Sequence, residues 1–158
     1  MNPYMREAIE LSRSFEEYPE NTPFGAVVVL GGEVVGRGTS SVVTLHDPTA
    51  HAEVMAIRDA TSRRGHHLLP GATLYVSGYP CPMCLMACYW SQITSVKYGA
   101  LLEDSTAAGF EDSYFYDQLR LDPEERDIPV EQDGAESAER GGEVLKLWKK
   151  NFDSRESG

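Results

Sequence analysis

Apolar residues recur along this chain with a helical period in some stretches and as short unbroken runs in others, and the two kinds alternate. Met5, Ile9, Leu11, Ser12 and Phe15 fall near one helical face, which predicts an amphipathic helix over residues 3–17 that ends before Pro19. The run Phe24-Gly-Ala-Val-Val-Val-Leu30 is short, apolar and rich in β-branched residues. Gly31-Gly32 turns it back into Glu33-Val-Val-Gly-Arg37, the pattern of a β-hairpin. Asp47-Pro48 reads as a helix start, an Asp to cap free amides and a Pro tolerated at the first helical position, with Val54, Ile57 and Ala60 on the inner face of a helix over about 48–63.

Pro70-Gly71 marks a turn before Thr73-Leu-Tyr-Val76, read as a buried strand, and Pro82 opens a helix that runs to Trp90. Val96 to Ala100 is a further strand. Beyond it the pattern predicts a loop over 106–112, a short aromatic helix from Ser113 to Arg120, an edge strand over 128–132, a mobile polar connection over 133–142 and a last helix from Val144 to Phe152. No internal repeat is visible. A hairpin followed by alternating helices and strands predicts an α/β fold, a three-layer α/β/α sandwich whose mixed sheet is covered on both faces.

Composition narrows the partners. At 158 residues and 41% hydrophobic the chain is the size of one domain with one core, and the whole of it is read as a single unit. Twenty-five acidic residues against 14 basic leave a formal charge of −11, a field that repels a phosphate backbone, so nucleic acid is not expected as a partner. The first fifteen residues are too acidic and too broken for a signal peptide, and no window approaches the roughly 20 apolar residues of a membrane span, so a cytoplasmic protein without a membrane partner is expected. Only three cysteines occur, two of them in Cys81-Pro82-Met83-Cys84, a spacing that in a reducing compartment suits metal or redox chemistry more than a disulfide framework.

The candidate chemistry lies in two segments about 30 residues apart, each at the start of a predicted helix: His51 with Glu53, and Cys81 with Cys84. A helix N-terminus favours a thiolate and a neutral imidazole, the forms that bind a metal. Zinc takes nitrogen and thiolate donors tetrahedrally, and three protein ligands leave one position for water, as in catalytic rather than structural sites. Such a water still needs a group that carries protons, and Glu53, two residues beyond His51, suits that task. Alone, Cys-x-x-Cys fits redox chemistry or half a structural zinc site, and a lone His fits a surface or core residue. Together, His-x-Glu and Pro-Cys-x-x-Cys form the signature of zinc deaminases. Cys88, one turn after Cys84, is a candidate fourth ligand, against the stronger reading of a buried free thiol beside Leu85, Met86 and Trp90. His46, His66 and His67 read as solvated, with His46 nearest the site.

Asp47-Pro-Thr-Ala-His-Ala-Glu-Val-Met-Ala-Ile-Arg58, Pro80-Cys-Pro-Met-Cys84, Tyr89-Trp90 and Ala107-Ala-Gly-Phe-Glu-Asp-Ser113 resemble the bacterial guanine deaminases of the cytidine deaminase superfamily, over about residues 24–129. The resemblance implies a cytidine deaminase-like fold with five strands, one zinc per subunit held by His51, Cys81 and Cys84, and hydrolytic deamination of guanine or a related aminated purine, with Glu53 moving protons. It also implies a homodimer, often with C-terminal segments exchanged, here about 133–158. By position, Phe24 and Trp90 would line and stack on the base, the Ala52 amide would face substrate oxygen or water, and Asp112 would hydrogen-bond the purine edge and assist proton transfer.

Two positions depart from the family pattern. Ser40 stands where an Asn usually hydrogen-bonds the substrate ring, and Tyr79 where Glu precedes Pro-Cys. A hydroxyl is shorter than a carboxamide and lacks its paired donor and acceptor, so both wall positions bear on the substrate. The same chemistry on a guanine nucleoside, a pterin, a triazine or a cytosine-type compound therefore remains open. So do a non-catalytic zinc-stabilised binding module and, less favoured, nucleic-acid editing.

Overall fold

The computed structural model describes residues 1–156. The chain divides into two compact units, Met1–Tyr116 and Asp117–Gly158. The first holds a four-stranded sheet: β1 (Gly25–Leu30), β2 (Glu33–Thr39), β3 (Thr73–Gly78) and β4 (Ser95–Ala100), in the order β2-β1-β3-β4. β1 pairs antiparallel with β2 and β3, while β3 and β4 run parallel, so the sheet is mixed as expected. Gly31 and Gly32, at φ 62° and 84°, supply the two left-handed positions that a tight primed turn requires between β1 and β2.

Both faces of the sheet are covered. Helix α1 (Pro3–Ser12) packs Ala8, Tyr4 and Leu11 on the face carrying Val27, Val29 and Tyr75. Helices α2 (Ala52–Arg64) and α3 (Pro82–Trp90) cover the opposite face, where Ala26, Val28, Leu74 and Val76 meet Ala52, Ala56, Ala60 and Cys88. The buried stripe of α2 is thus Ala52, Ala56 and Ala60, rather than the larger Val54 and Ile57 expected to lead it. Gly36 and Gly38 explain this choice. A Cβ at Gly38 would strike the Ala52 carbonyl and the Ala56 amide, and one at Gly36 would strike the Ala56 carbonyl and Ala60. Glycines on the strand and alanines on the helix let α2 lie against β2 almost backbone to backbone.

Several boundaries differ from expectation. The first helix stops at Ser12 and a 3-10 turn over Arg13–Glu16 follows, leaving Phe15 41% exposed. The second begins at Ala52, not near Pro48, because Asp47 closes a local turn instead of capping the helix. Its carboxylate accepts from the Thr49 amide at 2.8 Å and the Thr49 hydroxyl at 2.6 Å. A short helix α4 (Leu102–Ala107) occupies the start of the predicted loop, its Asp104 carboxylate accepting from the Leu101 amide at 2.8 Å. Helix α5 (Asp112–Arg120) follows.

Residues 128–132 form no strand, so the sheet has four strands rather than five; no strand outside the hairpin and β3–β4 is present among the described residues. Within the second unit, helix α6 (Ala135–Glu156) is longer than predicted and takes in most of the polar connection. Asp133 accepts from the Ser137 hydroxyl at 2.7 Å, and the alanines and glutamates of that stretch are strong helix formers that outweigh Gly141 and Gly142. No helix among the described residues is long and apolar enough to cross a membrane.

A candidate zinc centre at two helix N-termini

His51 is the N-cap residue of α2 and Cys81 that of α3, and neither side chain caps its own helix. Both are extended in backbone (φ −67°, ψ 155° and φ −69°, ψ 166°), the conformation an N-cap residue usually takes, yet neither side chain serves the free amides. They turn instead toward each other. His51 Nδ1 lies 3.6 Å from Cys81 Sγ and 3.5 Å from Cys84 Sγ, and all three donor atoms lie within 4.8 Å of one another.

The triangle fits zinc. Zn–S bonds of about 2.3 Å and Zn–N bonds of about 2.0–2.1 Å at a tetrahedral angle put nitrogen and sulfur about 3.6 Å apart. Two helix N-termini converge here, and their positive ends favour the anionic thiolates that a metal needs. The Cys81 thiol is driven down to about 4, first by the Cys84 thiol hydrogen-bonded to it and then by His51, while Cys84 is pushed up, first by its hydrogen bond with Cys81 and then by burial. Cys88 is buried in the core beneath α3 and is outside the ligand triangle, and burial pushes its thiol up to about 12. It is the free buried thiol of the two readings above.

The triangle opens onto a cavity of about 230 Å³. Glu53, one helical position past Ala52, is 5% exposed and lines it. Burial raises the Glu53 carboxyl to about 7, aided by the Cys81 thiolate. Asp112, at the start of α5, lines the same cavity, its carboxyl also raised, first by burial and then by Cys81. The walls include Phe24, Ser40, Ala52 and Tyr79, so the structure brings to one place all the expected site residues except Trp90. Trp90 ends α3, is 85% exposed and does not reach the cavity.

Three wall residues were not expected: Thr22, Val42 and Phe110. Phe110 meets Phe24 edge to face at 4.9 Å, and Thr22 donates its hydroxyl to Ser40 in a short hydrogen bond. Phe110 lies inside the Ala-Ala-Gly-Phe-Glu-Asp segment and was within reach of sequence reasoning. Thr22 and Val42 sit in irregular chain, where periodicity carries no signal. His46, at φ 50°, is in the turn before the site and does not line it.

The chain is 42% identical over 129 residues to guanine deaminase of Bacillus subtilis (strain 168), covering 82% of this chain and 83% of that one. The solved structure of guanine deaminase from Bacillus subtilis superposes with a TM-score of 0.85 at 38% identity, over 93% of this chain and 95% of that one. The tRNA-specific adenosine deaminase of Bacillus subtilis (strain 168) is 42% identical over a shorter stretch of 97 residues, 61% of this chain and 60% of that one. A solved relative in complex with 8-azaguanine has a TM-score of 0.64 at 32% identity, over 69% of this chain and 63% of that one. Residues 1–100, which hold every zinc-ligand candidate and Glu53, match the family described as the cytidine and deoxycytidylate deaminase zinc-binding region. The chain belongs to that family and is a zinc-dependent aminohydrolase.

Proposed function

We propose that this protein hydrolytically deaminates guanine, or a closely related aminated purine base, and releases ammonia. The observation that carries the reading is the joining of the His51, Cys81 and Cys84 triangle to a base-sized cavity with a buried carboxyl, Glu53, on its wall. At about 230 Å³ the cavity is smaller than the roughly 300 Å³ at which sites for drug-sized ligands begin. That size suits one heterocycle better than a polynucleotide, as does the net charge of −11. The long match to guanine deaminase agrees.

His51, Cys81 and Cys84 would hold one zinc, which when bound supplies Lewis-acid activation of water. The protein's own residues do the rest. Phe24 and Phe110, packed edge to face, together present an apolar wall against which a flat ring lies, and Tyr79 lines the same cavity. The Ala52 amide, free at the helix start, faces the substrate oxygen or the attacking water. Glu53 takes one proton from the attacking water and delivers it to the ring nitrogen, then takes the second from the hydroxyl left on the attacked carbon and delivers it to the amine, which departs as ammonia. Asp112, on the same cavity, hydrogen-bonds the purine edge and assists the transfer.

One observation favours a second substrate. The Ser40 and Thr22 hydroxyls share a hydrogen bond, so the pair has one proton left to donate toward a ligand, where a carboxamide would donate and accept side by side. A guanine nucleoside, a pterin, a triazine or a cytosine-type compound would meet that wall differently. Ammonia release from the zinc-loaded protein across a panel of these compounds separates the readings. Guanine is expected to be turned over, and guanine inert beside an active alternative would overturn the choice. Glu53→Gln is expected to lower turnover at least about a hundredfold while zinc content stays at one per chain. No turnover in the wild type, with zinc bound, would point instead to a binding module.

We further infer a cytoplasmic homodimer. All three cysteines are free, as a reducing compartment keeps them. Met86, Tyr89 and Trp90 on α3, and Val144, Leu145, Leu147, Trp148 and Phe152 on α6, are exposed apolar surface that exchange of the C-terminal segment from about residue 133 between two copies would bury. Sedimentation of the full chain as a monomer would remove this inference.

A further inference from the structure

Asp112 is set at the start of α5, a helix whose Tyr114, Phe115 and Leu119 are all exposed. What keeps such a helix in place matters to any role of its first residue. Tyr116 lies one turn beyond Asp112 on the same face, since residues four apart on a helix are stacked neighbours. Its hydroxyl donates to the Pro80 carbonyl at 2.8 Å. Pro80 immediately precedes Cys81. The Tyr116 phenol is pushed above its ordinary range, first by burial and then by Tyr79, so it remains a donor throughout any working pH.

The ring is steadied as well. Tyr79 meets Tyr116 at 5.9 Å and 65°, and meets Tyr98 of β4 at 5.0 Å and 73°, both edge to face. Tyr79, which lines the cavity, is therefore the middle of a row of three tyrosines that runs from β4 to α5. This arrangement gives a physical use to the tyrosine that stands before Pro-Cys in this chain.

We propose that Tyr116 is a positioning residue of the site: its hydroxyl fastens the first turns of α5 to the segment that carries Cys81, and so holds the Asp112 carboxylate at the cavity that Glu53 also lines. The inference rests on the reading of Asp112 as a group that meets the substrate. Tyr116 does not line the cavity and acts through Asp112.

Tyr116→Phe removes the hydroxyl and keeps the ring. Loss of one hydrogen bond is expected to lower kcat/KM for guanine about five- to tenfold, with zinc content unchanged. The effect should nearly vanish when Tyr116→Phe is made in Asp112→Asn, because residues that act as a unit are non-additive. Independently of turnover, amide hydrogen exchange over residues 111–116 of the zinc-loaded full chain should quicken in Tyr116→Phe and stay unchanged in Asp112→Asn. Equal exchange in wild type and Tyr116→Phe would overturn the proposal, as would additive losses in the double variant. A loss of zinc without faster exchange would also overturn it, by assigning the hydroxyl to the Cys81 segment alone. A wild type inert toward guanine but with the exchange difference intact would sink the substrate reading and leave the fastening of α5 standing.

Discussion

Gly38→Ala adds a single methyl group to β2, at the point where the sheet carries the start of α2. The new Cβ would lie 2.9 Å from Met55 Cβ and closer still to the Ala52 carbonyl oxygen and the Ala56 amide nitrogen. Two of these three atoms are backbone, which cannot rotate out of the way. In an interior packed to crystal-like density, relief requires the N-terminal turn of α2 to retreat by about 1 Å. Overpacking of this kind costs roughly 1–3 kcal/mol, which lowers Tm by about 3–10 °C for a chain of this size. The turn that retreats carries His51, the Ala52 amide and Glu53. A misplacement of about 1 Å at reacting groups costs on the order of a hundredfold in rate. Gly36→Ala is the control. It clashes with the Ala56 carbonyl and with Ala60, whose amide nitrogen and Cβ would each lie 2.7 Å away, one turn and more beyond the site. Thermal unfolding and kcat/KM, measured on both zinc-loaded variants, should show similar destabilisation but at least tenfold greater loss of activity in Gly38→Ala. Equal activity losses, or a Gly38→Ala protein as stable and active as wild type, would refute the claim that β2 positions the catalytic turn by backbone contact.

Two further outcomes follow from the site. Ser40→Asn restores a side chain that donates and accepts together and breaks the hydroxyl pair with Thr22; it should raise the preference for guanine over other aminated heterocycles by about tenfold or more, and an unchanged ratio of kcat/KM values would separate Ser40 from specificity. Cys88→Ala should cost about 1–2 kcal/mol of stability, as truncations in a packed core do, yet leave one zinc per chain by metal analysis, since Cys88 lies in the core beneath α3; zinc lost along with Cys88 would contradict that placement.

The metal triangle was legible in the sequence because each pair of groups is local: His51 and Glu53 are two residues apart, Cys81 and Cys84 three, and each pair opens a helix that Pro or Ala can start. The hairpin was equally legible, since Gly31-Gly32 leaves the chain little choice of turn. Periodicity failed where small residues replaced large ones. Ala52, Ala56 and Ala60 make a poor apolar stripe by hydropathy, and only the glycines of β2, brought alongside by the hairpin, reveal why small residues are needed. It failed again at 135–142, where glycine and charge suggested a mobile chain and helix propensity with a local Ser137–Asp133 contact produced a helix.

What the sequence by itself determined, then, was a group of side chains able to hold zinc with a carboxyl, Glu53, beside it, each encoded by short spacings that local backbone geometry converts directly into position. What only the tertiary structure decided was the room around it. Thr22 against Ser40, Phe110 against Phe24 and Tyr116 on the Pro80 carbonyl all join residues between 18 and 86 positions apart. Contacts at such separations follow from how the layers pack, and no local period records them.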